Sequence, residues 1–304
     1  MRRPGGPAAR RGEPTGGVRR PIAAACFFAL AAAACAGDGD GGAVVPLPAV
    51  VPATTAAVPS TTLPDPEPLT TGTTKAPVTT TTAASFVHYE TIGRSVRGRP
   101  ILAATFGDGP VRVLVLGGIH GDERAAVDNG PVLAAHLAET VPEGITVRFV
   151  VDANPDGTAA ATRRNTNGVD LNRNWPTEDF RGGDDHGPSP LSEPETMALA
   201  AEITAFGPDA IVAIHAAWNG PFVNFDGPAD DPAEAGARAA ATIDPRWRVE
   251  PEVDWPTPGS MGTHFGREGD LPVITIEADR TDRAVEARPA LQAAVDAVLE
   301  HLGG

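Results

Sequence analysis

His120 and Glu123 stand three residues apart at the end of a glycine-rich stretch, Gly117-Gly118-Ile119-His120-Gly121-Asp122-Glu123. At that spacing, about one helical turn, an imidazole and a carboxylate can face one point. Both are ordinary ligands of zinc. A third ligand must come from elsewhere, and His215 is suited to it because it follows the apolar run 210–214. Two histidines and a glutamate leave a fourth position open for water, the arrangement of catalytic rather than structural zinc. Imidazole with carboxylate ligation favours zinc among the divalent ions. Glu277 follows a second apolar run, 273–276, and supplies a carboxylate that could act as acid or base. Singly, these signals are weak: His-x-x-Glu arises by chance, and a histidine at a strand end is more often a hydrogen-bonded packing residue.

Their strength depends on the elements that carry them. Runs rich in Val and Ile at 101–106, 111–116, 145–151, 210–214 and 273–276 predict strands. Between them, 122–139, 193–206, 231–243 and 283–302 carry Ala and Leu at helical spacing and predict helices. This alternation implies an α/β fold, a mixed, mostly parallel central sheet with helices on both faces. Ligands of such sheets gather beyond the carboxyl ends of the strands. Three separate strands deliver His120 with Glu123, His215 and Glu277 at that same relative place. The other histidines lack such company. His88, His136 and His301 read as surface or packing residues, His186 sits in a polar Gly/Asp loop, and His264 could line the cleft.

Composition divides the 304 residues into three parts. In the first, 1–35, Arg10, Arg11, Arg19 and Arg20 precede an apolar run, 21–34, too short to span a bilayer comfortably. Ala32-Ala33-Ala34-Cys35 then resembles the end of a bacterial lipoprotein signal, with Cys35 as the lipidated residue, although Ala32 stands where such signals prefer Leu. Export to the cell envelope follows, as a lipoprotein or, if the signal is simply cleaved, as a released protein. The second part, 36–85, holds 12 Thr and 8 Pro and no apolar periodicity, which predicts a disordered tether. The third, 86–304, has 219 residues, enough for one catalytic domain with a sizeable core. It carries 17 Arg and no Lys against 34 acids, a balance of −17 that argues against nucleic acid as a partner. Both cysteines, Cys26 and Cys35, precede it, so no disulfide or thiolate site is expected there.

Between the first ligand pair and His215 lie Asn154-Pro155-Asp156-Gly157 and Thr162-Arg163-Arg164-Asn165-Thr166-Asn167-Gly168-Val169-Asp170-Leu171-Asn172-Arg173-Asn174-Trp175. With Gly118-x-His120-Gly121-x-Glu123 before them and Ile274-Thr275-Ile276-Glu277 after, the chain resembles the zinc carboxypeptidase family over essentially all of 86–304. It is most similar to the bacterial branch that contains murein peptide amidase. The resemblance implies one zinc ion on His120, Glu123 and His215, with Glu277 as the general base that activates water and later protonates the leaving amine. It implies that Arg163, or its neighbour Arg164, stabilises the developing oxyanion, and that Asn172 and Arg173 grip the substrate's terminal carboxylate. An arginine fork suits a planar carboxylate. Asp170 reads as a residue that orients the loop.

One departure from the digestive members matters. They place a tyrosine over the substrate, whereas the only tyrosine here is Tyr89, far upstream. The corresponding segment reads Thr257-Pro258-Gly259-Ser260-Met261-Gly262-Thr263 and resembles the Gly-Ser loop of the murein-directed branch, with Ser260 and Gly262 as substrate-binding candidates. A roomy loop suits a branched or D-configured substrate. The expectation is hydrolysis of an amide bond near the free carboxylate of a cell-wall stem peptide, of the γ-D-glutamyl-diaminopimelate type. Two alternatives stand beside it: a zinc deacylase of N-acyl amino acids, and a non-catalytic tethered wall-binding module, which would have lost a ligand or the base.

Overall fold

A computed structural model describes residues 87–251 and 257–304. The expectations for 1–35 and 36–85, Cys35 included, lie outside the described residues. Among these, seven strands form one sheet: β1 (Glu90–Arg94), β2 (Pro100–Phe106), β3 (Val111–Leu116), β4 (Ile145–Val150), β5 (Ala210–Ala217), β6 (Phe222–Asp226) and β7 (Val273–Asp279). Their spatial order is β1-β2-β4-β3-β5-β7-β6. The central block β4-β3-β5-β7 is parallel, while β1, β2 and β6 join antiparallel at the edges. Strands covered on both faces need apolar side chains on both, which is why Val111–Leu116 and the first five residues of Ala210–Ala217 read as near-continuous apolar runs.

Among the described residues six α-helices accompany the sheet: α1 (Arg124–Val127), α2 (Gly130–Thr140), α3 (Pro155–Ala160), α4 (Pro194–Phe206), α5 (Asp230–Ala241) and α6 (Ala284–Gly303). One face of the sheet is covered by α2, α5 and α6, whose Leu133, Leu137, Ala233, Ala237, Leu291 and Val295 pack with Val113, Val115, Val212 and Ile276. On the other, Leu199 and Ile203 of α4 pack with Leu171, Trp175, Leu114 and Leu116. Each fully buried aliphatic side chain contributes about 1.5–3 kcal/mol, so burial stabilises this domain without cross-links.

Three local expectations are corrected. The single helix expected over 122–139 is two, because Pro131 lacks the N–H a continuous helix would use there, and Asn129 turns its side-chain amide onto the carbonyls of Ala125 and Ala284. The runs ending at 214 and 276 continue as strand to Ala217 and Asp279, because their parallel pairing continues to the register Ala217↔Asp279. His215 and Glu277 therefore lie within β5 and β7, near their carboxyl ends. The edge strands β1 and β6 and the short helix α3 were not anticipated.

Candidate metal centre and cavity

Side chains of a strand alternate between faces. On β5, Val212, Ile214 and Ala216 belong to the core beneath α5 and α6, and Ile211 belongs to the core beneath α4. His215 shares the parity of Ile211, and Glu277 on β7 shares that of Val273. Both therefore project on the α4 side. His120 and Glu123 arrive there from the turn after β3. That turn crosses α3 at close range: a Cβ at Gly121 would lie 2.0 Å from the Gly157 carbonyl carbon, so only glycine fits without displacing backbone.

Three donor groups converge. His120 Nδ1 lies 2.8 Å from Glu123 Oε1, His215 Nδ1 lies 3.1 Å from Glu123 Oε2, and the two ring nitrogens are 3.2 Å apart. All three residues are buried, and their donor atoms fall within 4.8 Å of one another. Tetrahedral zinc with bonds of about 2.0–2.1 Å spaces its ligand atoms about 3.3 Å apart, close to these separations. The surroundings fix the ligands. His120 Nε2 donates to Asp170 Oδ1 (3.0 Å), leaving Nδ1 toward the centre, and Glu123 Oε2 accepts the Ala216 N–H (3.0 Å). The residues present fit a single zinc ion.

Electrostatics agree. Burial opposes charge on Glu123 and Asp170, but the His120 imidazole beside both, with His215 at Glu123 and Arg163 at Asp170, holds both carboxyls well below the usual range. Burial would also lower His120, yet Glu123 and Asp170 outweigh it and push the imidazole up to about 9. Such a site binds positive charge, from a proton or a metal ion.

Around this centre opens a cavity of about 480 Å³, lined by His120, Glu123, His215, Glu277, Arg163, Asn172, Arg173, Ser260 and Gly262, among others. The cavity thus brings together the three ligand candidates, Glu277, Arg163, Asn172, Arg173, Ser260 and Gly262. The Glu277 side chain makes no hydrogen bond among the described residues, and its enclosure pushes the carboxyl up to about 7, with His215 opposing that rise and nearby Glu123 adding to it. Of the adjacent arginines, Arg163 faces the cavity and bridges Asp170 Oδ2 (2.8 Å) and Glu123 Oε1 (3.2 Å), whereas Arg164 pairs with Asp185 at 2.6 Å. Arg173 forms no ion pair among the described residues; the one hydrogen bond of its side chain goes to the Asn172 carbonyl (2.7 Å), so most of the fork is unused. Asn172 accepts the Met261 N–H on Oδ1 (2.9 Å), which leaves its amide nitrogen to donate. Ser260 Oγ instead accepts the Thr263 N–H (3.0 Å) and shapes the loop.

Sequence reasoning gave Asp170 a role in the loop only. It does cap the turn at Leu171–Arg173 through the Asn172 N–H, but the same Oδ1 also orients the ligand His120. Trp218, Asn224, Asp226, Arg267 and Arg280 line the cavity too and were not anticipated, because nothing in their spacing marks them. His264 stacks on Trp175 (centroids 6.1 Å apart) and does not line the cavity. His136 pairs with Asp296 at 2.9 Å, a packing role as expected.

Comparison with known proteins gives a consistent result. A family profile described as zinc carboxypeptidase matches residues 78–234. Murein peptide amidase A of Vibrio campbellii is 30% identical over 239 residues, covering 72% of this chain and 90% of that protein. Its counterpart from Escherichia coli K12 is 32% identical over 197 residues, covering 58% and 74%. Among solved structures, murein-tripeptide amidase from Escherichia coli O157 matches with a TM-score of 0.53 and 27% identity, over 69% of this chain and 91% of that one. Bovine thrombin-activatable fibrinolysis inhibitor shares the fold, with a TM-score of 0.61 at 16% identity over 71% and 90%.

Proposed function

Since the chain belongs to the zinc carboxypeptidase family and is a zinc metallopeptidase, we propose that it hydrolyses the amide bond joining a γ-D-glutamyl group to a diaminopimelate-type residue in a cell-wall stem peptide. The observation that carries the reading is the meeting, in one cavity, of the His120–Glu123–His215 donor set, an unbonded Glu277 and the largely unused Arg173 fork. Support for the wall-derived substrate comes from the amidase relatives and from a cavity rim of Ser260 and Gly262 without a tyrosine.

His120, Glu123 and His215 would hold the zinc. When bound, the ion lowers the pKa of a water and polarises the scissile carbonyl. The protein's own groups do the rest. Asn172 and Arg173 hold the substrate's free carboxylate and so fix which amide reaches the centre. Glu277 removes a proton from the attacking water and returns it to the departing nitrogen, a task suited to a carboxyl held near neutrality. Arg163, anchored on Asp170 and Glu123, keeps a guanidinium beside the place where the carbonyl oxygen gains charge. A non-catalytic module would have lost one of these groups; all are present. The N-acyl amino acid deacylase is the weaker alternative, since a small acyl substrate would use less of the cavity.

On sequence grounds, the enzyme works outside the cytoplasm, tethered through residues 36–85 to a lipid on Cys35. Radiolabelled palmitate incorporated by wild type and absent from Cys35→Ser would support the anchor; labelling of neither would remove it.

Mass spectrometry of products after incubating the zinc-loaded protein with defined muropeptides tests the reaction. Free diaminopimelate and the matching γ-D-glutamyl peptide are expected. Release of C-terminal residues from ordinary L-peptides, with muropeptides untouched, would refute the substrate assignment.

A further inference from the structure

Away from the metal ligands, the cavity holds a second charged feature that the reaction above does not use. Asp226 closes β6, and Arg267 closes the π-helical turn Gly262–Arg267 that precedes β7. Arg267 Nε donates to Asp226 Oδ1 at 2.5 Å, and both residues line the cavity that contains Asn172, Arg173 and Glu277. The Asp226 side chain is 11% exposed and that of Arg267 is 52% exposed.

Half of this pair's bonding capacity is left over. Among the described residues, Asp226 Oδ2 accepts no hydrogen bond, and neither terminal nitrogen of Arg267 donates one. Space is also kept for the carboxylate: a Cβ at Gly262 would lie 2.0 Å from Asp226 Oδ2. A side chain at this position would have to push Asp226 out of the cavity wall. The result is an acceptor oxygen and guanidinium donors side by side in the wall of the cavity that Asn172 and Arg173 also line.

With the amide-hydrolase reading above as its basis, we propose that Asp226 and Arg267 together read a zwitterionic head group, an ammonium and a carboxylate on one carbon, at the far end of the leaving residue's side chain. Asp226 Oδ2 accepts from the ammonium, and the Arg267 terminal nitrogens donate to the carboxylate. Four groups of the leaving residue are then accounted for: one carboxylate on the Asn172–Arg173 clamp, one nitrogen freed at the scissile bond, and the second ammonium and carboxylate on this pair. A diamino dicarboxylic acid has that composition. Lysine, with the ammonium alone, satisfies only Asp226 and leaves Arg267 without its partner.

The test compares wild type, Arg267→Gln and Asp226→Asn as zinc-loaded full chains on two tripeptides differing only in the leaving residue, 2,6-diaminopimelate or lysine. Wild type should favour diaminopimelate by roughly tenfold or more in kcat/KM, the scale of one charge-assisted hydrogen bond. Arg267→Gln should reduce that ratio to near one by losing the diaminopimelate rate, and Asp226→Asn should weaken both substrates. A ratio unchanged in Arg267→Gln overturns the assignment. Arg267 is half-exposed, so its glutamine variant should fold, with unfolding temperature and zinc content as controls, and it decides the matter even if Asp226→Asn does not fold. Should wild type cleave neither tripeptide, the reaction assigned above fails. Calorimetry of free 2,6-diaminopimelate then judges the pair alone: a roughly tenfold weaker Kd in Arg267→Gln supports it, and equal affinity refutes it.

Discussion

His215 and Glu277 are register partners on the adjacent parallel strands β5 and β7, so their side chains leave the same face of the sheet one strand spacing apart. Neighbouring strands lie about 4.8 Å apart. A ligand and a carboxyl acting on the same reacting centre are thus positioned by backbone hydrogen bonds rather than by a loop. Glu277→Gln keeps the shape and removes the base. It should lower kcat by several orders of magnitude while zinc content, by atomic absorption, stays near one per chain. Turnover within tenfold of wild type would take Glu277 out of the mechanism.

The same carboxyl sets a pH dependence. It must be ionised to accept a proton, and burial pushes it up to about 7. A nearby cation favours the ionised form, so the acid limb of kcat/KM should fall at or below pH 7. Activity declines as pH drops through that limb. An acid limb lying above pH 7, or one retained unchanged in Glu277→Gln, would contradict this.

Zinc affinity should rise with pH. In the metal-free protein the His120 imidazole holds its proton up to about pH 9, and a ligand nitrogen must be bare. Each unit of pH below that value should weaken binding by about tenfold through this one proton. Isothermal titration in buffers of different ionisation enthalpy would detect the released proton. Asp170→Asn, which weakens the support of His120 Nε2, should cost a further ~10–100-fold in affinity.

Arg173→Ala should reduce kcat/KM on substrates with a free terminal carboxylate by about a hundredfold, the worth of a charged, bidentate contact. Substrates carrying a terminal amide should lose far less. Arg173→Lys should recover only part of the loss, because an ammonium cannot form the parallel fork. Equal losses on acid and amide would mean that Arg173 does not hold the carboxylate.

Asp152 offers a stability test away from the chemistry. Burial pushes its carboxyl up to about 6, against hydrogen bonds from the Asn154 N–H (3.1 Å) and the Thr158 hydroxyl (3.0 Å). A folded-state value above the unfolded one means the folded protein binds the proton more tightly. Its stabilising effect is present at low pH and is lost as pH rises from about 4 to 6, by roughly 3 kcal/mol. Asp152→Asn should lack this step. The difference in urea unfolding free energy between variant and wild type should therefore shift in the variant's favour across that interval.

Much of the centre was legible in the chain because its residues follow strong local patterns. His120 and Glu123 share one turn, and His215 and Glu277 each follow a β-branched run. The burial of those runs fixes the sheet, and the sheet fixes the side chains' face. What escaped was what spacing does not encode. Asp226 and Arg267 are 41 residues apart and meet only because β6 pairs antiparallel with β7, a short edge strand with little patterning of its own. Asp170 lies 50 residues from His120 and reaches it through the turn at Leu171–Arg173. The break at Asn129 was visible in Gly130-Pro131 but lost within an otherwise helical stretch.

The two-sided sheet has one more consequence, for engineering. Ligands and base project toward α4, while α5 and α6 cover the opposite face. Residues such as Ala237 or Val298 can be repacked, or the outer surfaces of those two helices used for immobilisation, with the reactive groups screened behind a layer of backbone. Thermal tolerance and catalytic rate should then be adjustable through largely separate sets of positions.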